Sequence, residues 1–377
     1  MQPSTLLPYY PTYSILDEAR SLVNNPSNIN LFIDLKNVLR GIYMKVAVEN
    51  IVESTRSSKY VDTSIFASLI TFISFHKMWA YKRGVNVNFF IFFESGHSVY
   101  HLNIDKTYKC SRKIASVYGV DVSYQEEFFS ILQSNLQLIE KACNGFPNVY
   151  VLRLHNLECD FLPYYLLTRA SFGKNPDQLN MLYSNDKDMW QTIDEKTFIF
   201  SKIGKTKHLI TPGGLMTKFL KRECQIDDSY FPIVKAIWGD TGDDIDGVEG
   251  VGPAGIVSFF SEFQPMIGSI EDVYENIQNN LPIFNVIPSK IENKKLKSVI
   301  DAELTSGLIS KNLKLISFEL LSRAVDDPVE SKMNERREHL KRSLNEKEII
   351  KLNVMLETLK RFNVTLDEDA LASIYHL

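Results

Sequence analysis

The chain has 377 residues, 44% of them apolar and 23% charged, with a net charge of −4. That balance is the one of an ordinary globular protein with enough apolar surface for a large core, and the length fits two or three domains. Cysteines 110, 143, 159 and 224 form no C-x-x-C pair and no metal-ligand spacing, so they read as small buried hydrophobes in a reducing compartment.

The opening residues, MQPSTLLPYYPTYSILDEAR, carry prolines, lack a basic start and contain no unbroken apolar core, which argues against a signal peptide. The longest uncharged apolar stretch, Ser64 to Phe75, is shorter than the roughly 20 residues a membrane span needs. No membrane is expected, and the cytoplasm is the default location. Residues 1–28 read as an N-terminal extension with one short helix. NLFID (30–34) is a short apolar run ending in Asp34, and 64–82 place apolar side chains at helical spacing. VNVNFFIFFES (85–95) reads as a buried strand ending in Glu94, and 123–143 again as helix. NVYVLRL (148–154) is a strand leading to Glu158 and Asp160, and NMLYSND (180–186) a strand leading to Asp186 and Asp188.

This alternation predicts an α/β fold with a parallel central sheet flanked by helices. Beyond residue 230 strand signals fade, and 232–262 read as helix, loop and helix. The remainder reads as mainly helical, with a charged run over 330–348 that fits a solvated face.

The carboxylates fall in an informative place. In open parallel sheets the site lies outside the carboxyl ends of the strands. Asp34, Glu94, the Glu158/Asp160 pair and the Asp186/Asp188 pair all stand at or just past such ends. A single Asp there is ordinarily a helix N-cap. Acids at every junction would crowd negative charge and push each other's pKa upward unless cations intervene. All-oxygen ligands favour Mg2+ or Mn2+ over Zn2+. A pair of such ions ~4 Å apart can clamp both the attacking and the leaving oxygen of a phosphodiester.

GDTGDDIDGVEGVGPAG (239–255) joins an acidic half to a glycine-rich half. Its Gly250-x-Gly252-x-x-Gly255 spacing matches a dinucleotide fingerprint, but that motif must follow a strand inside a first βαβ unit. Here acidic turn residues precede it, and Asp244 and Asp246 would repel a pyrophosphate. The better reading is two helices joined by a hairpin whose backbone N–H groups face nucleic-acid phosphate, with Asp240 and Asp243 turned back toward metal.

KAIWGDTGDDIDGVEGVGPAG resembles the helix-three-turn-helix signature of the 5′ nuclease (flap endonuclease) family. LFID, FFES, TYKCSRK, LECDF and SNDKD agree with the family's other motifs in order, over about residues 29–265. The stretch 126–160 is most similar to the stand-alone bacteriophage 5′-3′ exonucleases. The resemblance implies a PIN-like nuclease domain over 29–230 with a helical arch at about 96–135. It further implies a helix-three-turn-helix DNA-binding subdomain over 231–329 and a helical C-terminal extension over 330–377.

Carried over, the family pattern makes Asp34, Glu94, Glu158 and Asp160 ligands of one metal, with Asp186, Asp188, Asp240 and Asp243 serving a second. Lys109 and Arg112 match the basic pair that reaches the scissile phosphate, and they join Asp34, Asp160 and Asp186 as the expected catalytic set. Tyr108 would stack on an unpaired base. Lys113, Gly247, Gly250, Val251, Gly252 and Gly255 complete the expected DNA contacts. Two Mg2+ ions are implied, Mn2+ substituting, with K+ at the hairpin.

The implied activity is 5′-3′ exonuclease and flap endonuclease action on branched, nicked or 5′-ended DNA and RNA–DNA primer junctions in replication. A replication partner on the C-terminal extension is a further expectation, as is host bacterial cytoplasm for a phage-encoded chain. Removing the acidic ligands from the charge balance leaves the rest of the chain net positive, compatible with a modest basic groove. The chain departs from the pattern at Glu94 (usually Asp), Phe161 (a second Asp in E-x-D-D), Asp244 (usually Asn) and His101 (an Arg near the arch). Those departures motivate one alternative, a branched-DNA-binding factor with weakened catalysis. The related PIN-type core motivates another, an RNA nuclease.

Overall fold

The computed structural model describes residues 13–36, 69, 72–95, 97–111, 130, 143, 148–168, 177–203, 206–284 and 293–324. Six strands form one sheet: β1 (Asn28–Asp34), β2 (Asn86–Ser95), β3 (Val149–His155), β4 (Gln178–Tyr183), β5 (Thr197–Ile203) and β6 (Thr206–Ile210). Their order is β3-β2-β1-β4-β5-β6, parallel throughout except for the antiparallel β5–β6 pair. The first four strands lie where the apolar runs place them. The β5–β6 hairpin was not anticipated, since TFIFSKIGKTKHLI mixes lysines into a short edge pair whose alternation is weak.

Register in the central strands is fixed by a ladder of amides. Asn88 donates to Asn30 (3.0 Å), Asn30 to Asn180 (3.0 Å) and Asn180 to Thr197 (3.2 Å), each between register partners. Asn30 and Asn180 are buried, so a one-residue slip would leave their amides unsatisfied and turn the apolar face of the strand outward. The aligned registers of β1, β2 and β4 carry their C-terminal ends to one edge.

The N-terminal extension is tied to the sheet domain. Its helix, Tyr13–Ser21, buries Leu16 and Ala19, and Asp17 pairs with Arg83 and accepts from Trp79 Nε1 at 3.2 Å. Residues 72–81 are helical, as their periodicity predicts. The expected helix over 123–143 and the charged run over 330–348 lie outside the described residues, except for Ser130 and Cys143.

The second half packs helices Leu215–Leu220, Phe231–Trp238, Pro253–Ile267, Ile270–Gln278, Lys294–Ser306 and Leu308–Ile316 around one apolar cluster that also takes in Tyr108. Phe318 and Leu321, from helix Phe318–Ala324, instead join the cluster under the sheet with Phe161 and Leu166. Among the described residues no helix is long and apolar enough to cross a membrane.

Candidate active site

The site begins with a lysine in an apolar helix. Phe231–Trp238 (FPIVKAIW) is buried along nearly its whole length, and Lys235 is only 5% exposed. An unpaired ammonium there would be very costly, so it must meet carboxylates. It does: Nζ pairs with Asp188 Oδ1 and with Asp240 Oδ2 at 2.7 Å.

The helix stops at Gly239, whose φ of 81° favours glycine and whose missing Cβ would lie within 3.0 Å of Gly247 N and Ile245 O. Beyond it the chain doubles back through paired bonds between Asp240 and Ile245 (Asp240 N to Ile245 O 2.8 Å, Ile245 N to Asp240 O 2.9 Å). Buried Asn312 Nδ2 closes the turn, donating to the carbonyls of Ala236 (2.9 Å) and Asp246 (2.7 Å).

This reversal swings Asp240 and Asp243 over Asp188, which follows β4. One oxygen from each of Asp188, Asp240 and Asp243 lies within 4.8 Å of the others, a spacing that fits shared coordination of a cation. Asp186 caps the 3-10 turn Lys187–Thr192, accepting from Asp188 N at 2.9 Å. Burial, and the neighbouring charges of Asp186 and Asp243, outweigh Lys235 and push the Asp188 carboxyl up to about 7. For Lys235 burial alone would lower the pKa, but Asp188 and Asp240 outweigh it and hold the ammonium charged. The pocket carries more negative charge than its own lysines balance.

A second lysine closes the other side. Lys109 Nζ pairs with Glu158 and lies 3.5 Å from Asp243 Oδ2. Its backbone has φ +57°, a left-handed conformation that is strained for a side chain of this kind, and its N–H donates to Asp243 O at 3.0 Å. Next to it, Ser111 donates through its N–H (2.6 Å) and hydroxyl to the two oxygens of Asp244. At the start of the segment Lys311 Nζ pairs with Asp105 at 2.6 Å. Asp244, a departure from the family pattern, thus anchors the basic segment and does not join the acid cluster.

Other expected residues fall as follows. Asp34 ends β1 and Asp160 follows β3, both half-buried at the same sheet edge, and Glu94 is the penultimate residue of β2. Arg112 and Lys113 lie outside the described residues. Two expectations are corrected. Tyr108 is not an open stacking platform: its ring is buried against His101 (4.6 Å, 12°), and its hydroxyl donates to Glu158 at 3.1 Å. Val251 points into the helical core and does not face outward as a DNA contact, while half-exposed Gly247 packs on the Trp238 carbonyl. Gly250, Gly252 and Gly255 do line an open cleft.

The departures at His101 and Phe161 are both interior. Burial lowers the His101 pKa and keeps the ring neutral beneath Tyr108, while Phe161 is fully enclosed in the sheet core.

No family model matches the chain. A 5′-3′ exonuclease of Mycoplasmopsis pulmonis is 24% identical over 208 residues, 55% of this chain and 61% of that protein. The chain thus spans less than two thirds of that relative's length. A crystal structure of the T5 D15 protein co-crystallized with metal ions aligns with a TM-score of 0.57 at 21% identity, covering 83% of this chain and 99% of that one. The bacteriophage T5 D15 flap endonuclease in a pseudo-enzyme-product complex with DNA and metal ions aligns at 0.56 and 20% identity, with the same coverage.

The chain has the fold of these T5 proteins. In that fold the sheet edge collects acids, and the hairpin doubles back to add Asp240 and Asp243. One residue of the site received no role from the sequence: Lys235, the one charge in FPIVKAIW, is legible only as an anomaly in an apolar run.

Proposed function

We propose that this chain is a divalent-metal-dependent 5′ nuclease that hydrolyses phosphodiesters in branched or 5′-ended DNA. The observation that carries the reading is the convergence of Asp188, Asp240 and Asp243 within 4.8 Å, with Lys109 against the same cluster. The oxygen-only donor set fits a hard divalent cation such as Mg2+ or Mn2+. Asp188, Asp240, Asp243 and Asp186 would hold one ion, and Asp34, Glu94, Glu158 and Asp160 a second. When bound, such ions supply an activated water and neutralise charge on the scissile phosphate.

In this reading Lys109 leaves Glu158 to meet the phosphate, stabilising charge that grows in the transition state, and Arg112 joins it. Tyr108 keeps Glu158 oriented through its hydroxyl, which burial and the neighbouring Glu158 and Asp243 hold protonated. Asp244 fixes the basic segment at the distance these roles require. The sheet domain and its arch form the cutting part, and the hairpin region from about 231 grips duplex. RNA–DNA primer junctions, K+ at the hairpin and a replication partner on the C-terminal extension belong to the same proposal.

Phe161 favours one second reading. Because it is enclosed in the core, no carboxylate from that position reaches the site, and a weaker second ion would leave a branch-binding protein with slow turnover. Incubation with a 5′-flap duplex and Mg2+ separates the two: turnover supports the nuclease, and tight binding without turnover supports the binding factor.

A further inference from the structure

Burial of Tyr108 leaves no open ring face for a base there, and another aromatic lies close to the acids in the chain. Trp238 ends the helix two residues before Asp240 and is 37% exposed. The chain's other tryptophans differ: Trp79 is 1% exposed, and Trp190 is packed against the core. A lone exposed apolar residue would need no explanation, but Trp238 is not alone. Its ring meets Phe219 edge-on at 5.2 Å and 70°, and Lys187, between Asp186 and Asp188, holds its Nζ 5.3 Å from the Phe219 ring centre.

Phe219 belongs to helix Leu215–Leu220, which is followed at once by exposed Lys221 and Arg222. These line a cleft of about 500 Å³ whose far wall is Gly250, Gly252 and Gly255. Lys295 enters the same cleft from helix Lys294–Ser306 and donates through Nζ to Gly250 O. The hairpin sequence GVEGVGPAG holds no basic side chain, and its one charge is Glu249. Among the described residues every cation lining this cleft is therefore brought from elsewhere in the chain, and Lys221, Arg222 and Lys295 outnumber the exposed acids Glu223 and Glu249 of the neighbouring chain.

We propose that Lys187, Trp238, Lys221, Arg222 and Lys295 form one continuous strip that carries a nucleic-acid strand from the acid cluster to the glycine hairpin. Trp238 stacks an unpaired base next to the acids, and the cations contact successive phosphates. Stacking suits this position because every base presents a π-face, whatever the sequence. The glycines let the sugar-phosphate backbone approach while the flanking cations supply the charge that the hairpin lacks. This proposal rests on the nuclease reading only in taking nucleic acid as the ligand.

The test uses the full chain in EDTA, so that no cleavage intervenes, with a labelled 5′-flap duplex. Tryptophan fluorescence of the free protein should be quenched by iodide through Trp238, and bound DNA should shield it. Trp238→Phe should remove the iodide-accessible fraction. Binding followed by anisotropy across a salt series should show a log–log slope smaller by about 0.9 for each of Lys221→Ala, Arg222→Ala and Lys295→Ala. Trp238→Ala should weaken flap binding about 5-fold or more while leaving binding to a flapless duplex unchanged. If wild type binds the flap duplex but iodide quenching is unaltered by DNA and the slopes do not change, the strip is wrong and the nuclease reading survives. If wild type does not bind the flap duplex at all, the nuclease reading falls and the strip with it.

Discussion

Replacing Lys235 by methionine probes the electrostatics of the site most sharply. The substitution keeps most of the apolar stem of a side chain that is 5% exposed, and it removes the ammonium shared by Asp188 and Asp240. Removing one partner of a buried pair ordinarily costs ~3–5 kcal/mol, a large share of a domain's ~5–15 kcal/mol of stability. Asp188 already stands at about 7, and without Lys235 it rises further and takes a proton at neutral pH. The loss at pH 7 should therefore fall near the lower end, about 3 kcal/mol.

A carboxyl whose folded pKa is raised binds its proton more tightly in the folded state, so stability falls as pH rises toward and through that pKa. Lys235→Met should thus lose stability more steeply than wild type above pH 7. A divalent ion replaces the missing charge and should recover ~2.7 kcal/mol at one hundred times its dissociation constant. Urea unfolding of both proteins in EDTA and in Mg2+, across pH 6 to 9, reads all three effects. Equal stability of the two proteins in EDTA, or equal stabilisation of both by Mg2+, would rule out this role for Lys235.

Further predictions concern the supports of the site. Asp105 is lowered to about 2 by Lys311 and Thr107, so its contribution is present above the ordinary carboxylate range near pH 4 and is lost as pH falls through about 2. Asp105→Asn should flatten the acid limb of the stability curve in that window, measured by urea unfolding at pH 2 to 5. Gly247→Ala places a Cβ against the Trp238 carbonyl, where the backbone must shift, and should cost about 1–3 kcal/mol by thermal unfolding. Asp244→Ala removes both acceptors of Ser111 and should slow flap cleavage through the loosened Lys109 segment. Asp244→Asn keeps one acceptor oxygen and should stay closer to wild type, both followed as single-turnover rates.

The sequence was most informative where a short run carries one signal. The four apolar strands and the acids after them are legible because a buried parallel strand needs continuous apolar residues and its C-terminal end needs polar ones. The glycine hairpin is legible because close approach of Gly239 and Gly247 to neighbouring backbone leaves no alternative residue. The β5–β6 edge hairpin is not, since its mixed lysines satisfy neither period.

The site itself was only half legible. Asp188, Asp240 and Asp243 come together as their motifs imply, but the direction of a side chain is a tertiary outcome. Nothing local distinguishes Tyr108 buried on His101 from Tyr108 open to a base. Likewise Lys311 and Lys295 act across about two hundred and about forty-five residues of chain, on Asp105 and Gly250, and no motif reports such pairs.

On the proposed function, the carboxylates at this sheet edge cut a phosphodiester with bound metal. Cleavage of a 5′-flap duplex by purified protein in Mg2+, compared with Asp188→Asn and Asp243→Asn, tests it most directly. Metal-dependent cleavage by wild type that chelation abolishes and both substitutions suppress is the expected result. Absence of cleavage by wild type in both Mg2+ and Mn2+, or undiminished cleavage by the two variants, would contradict it.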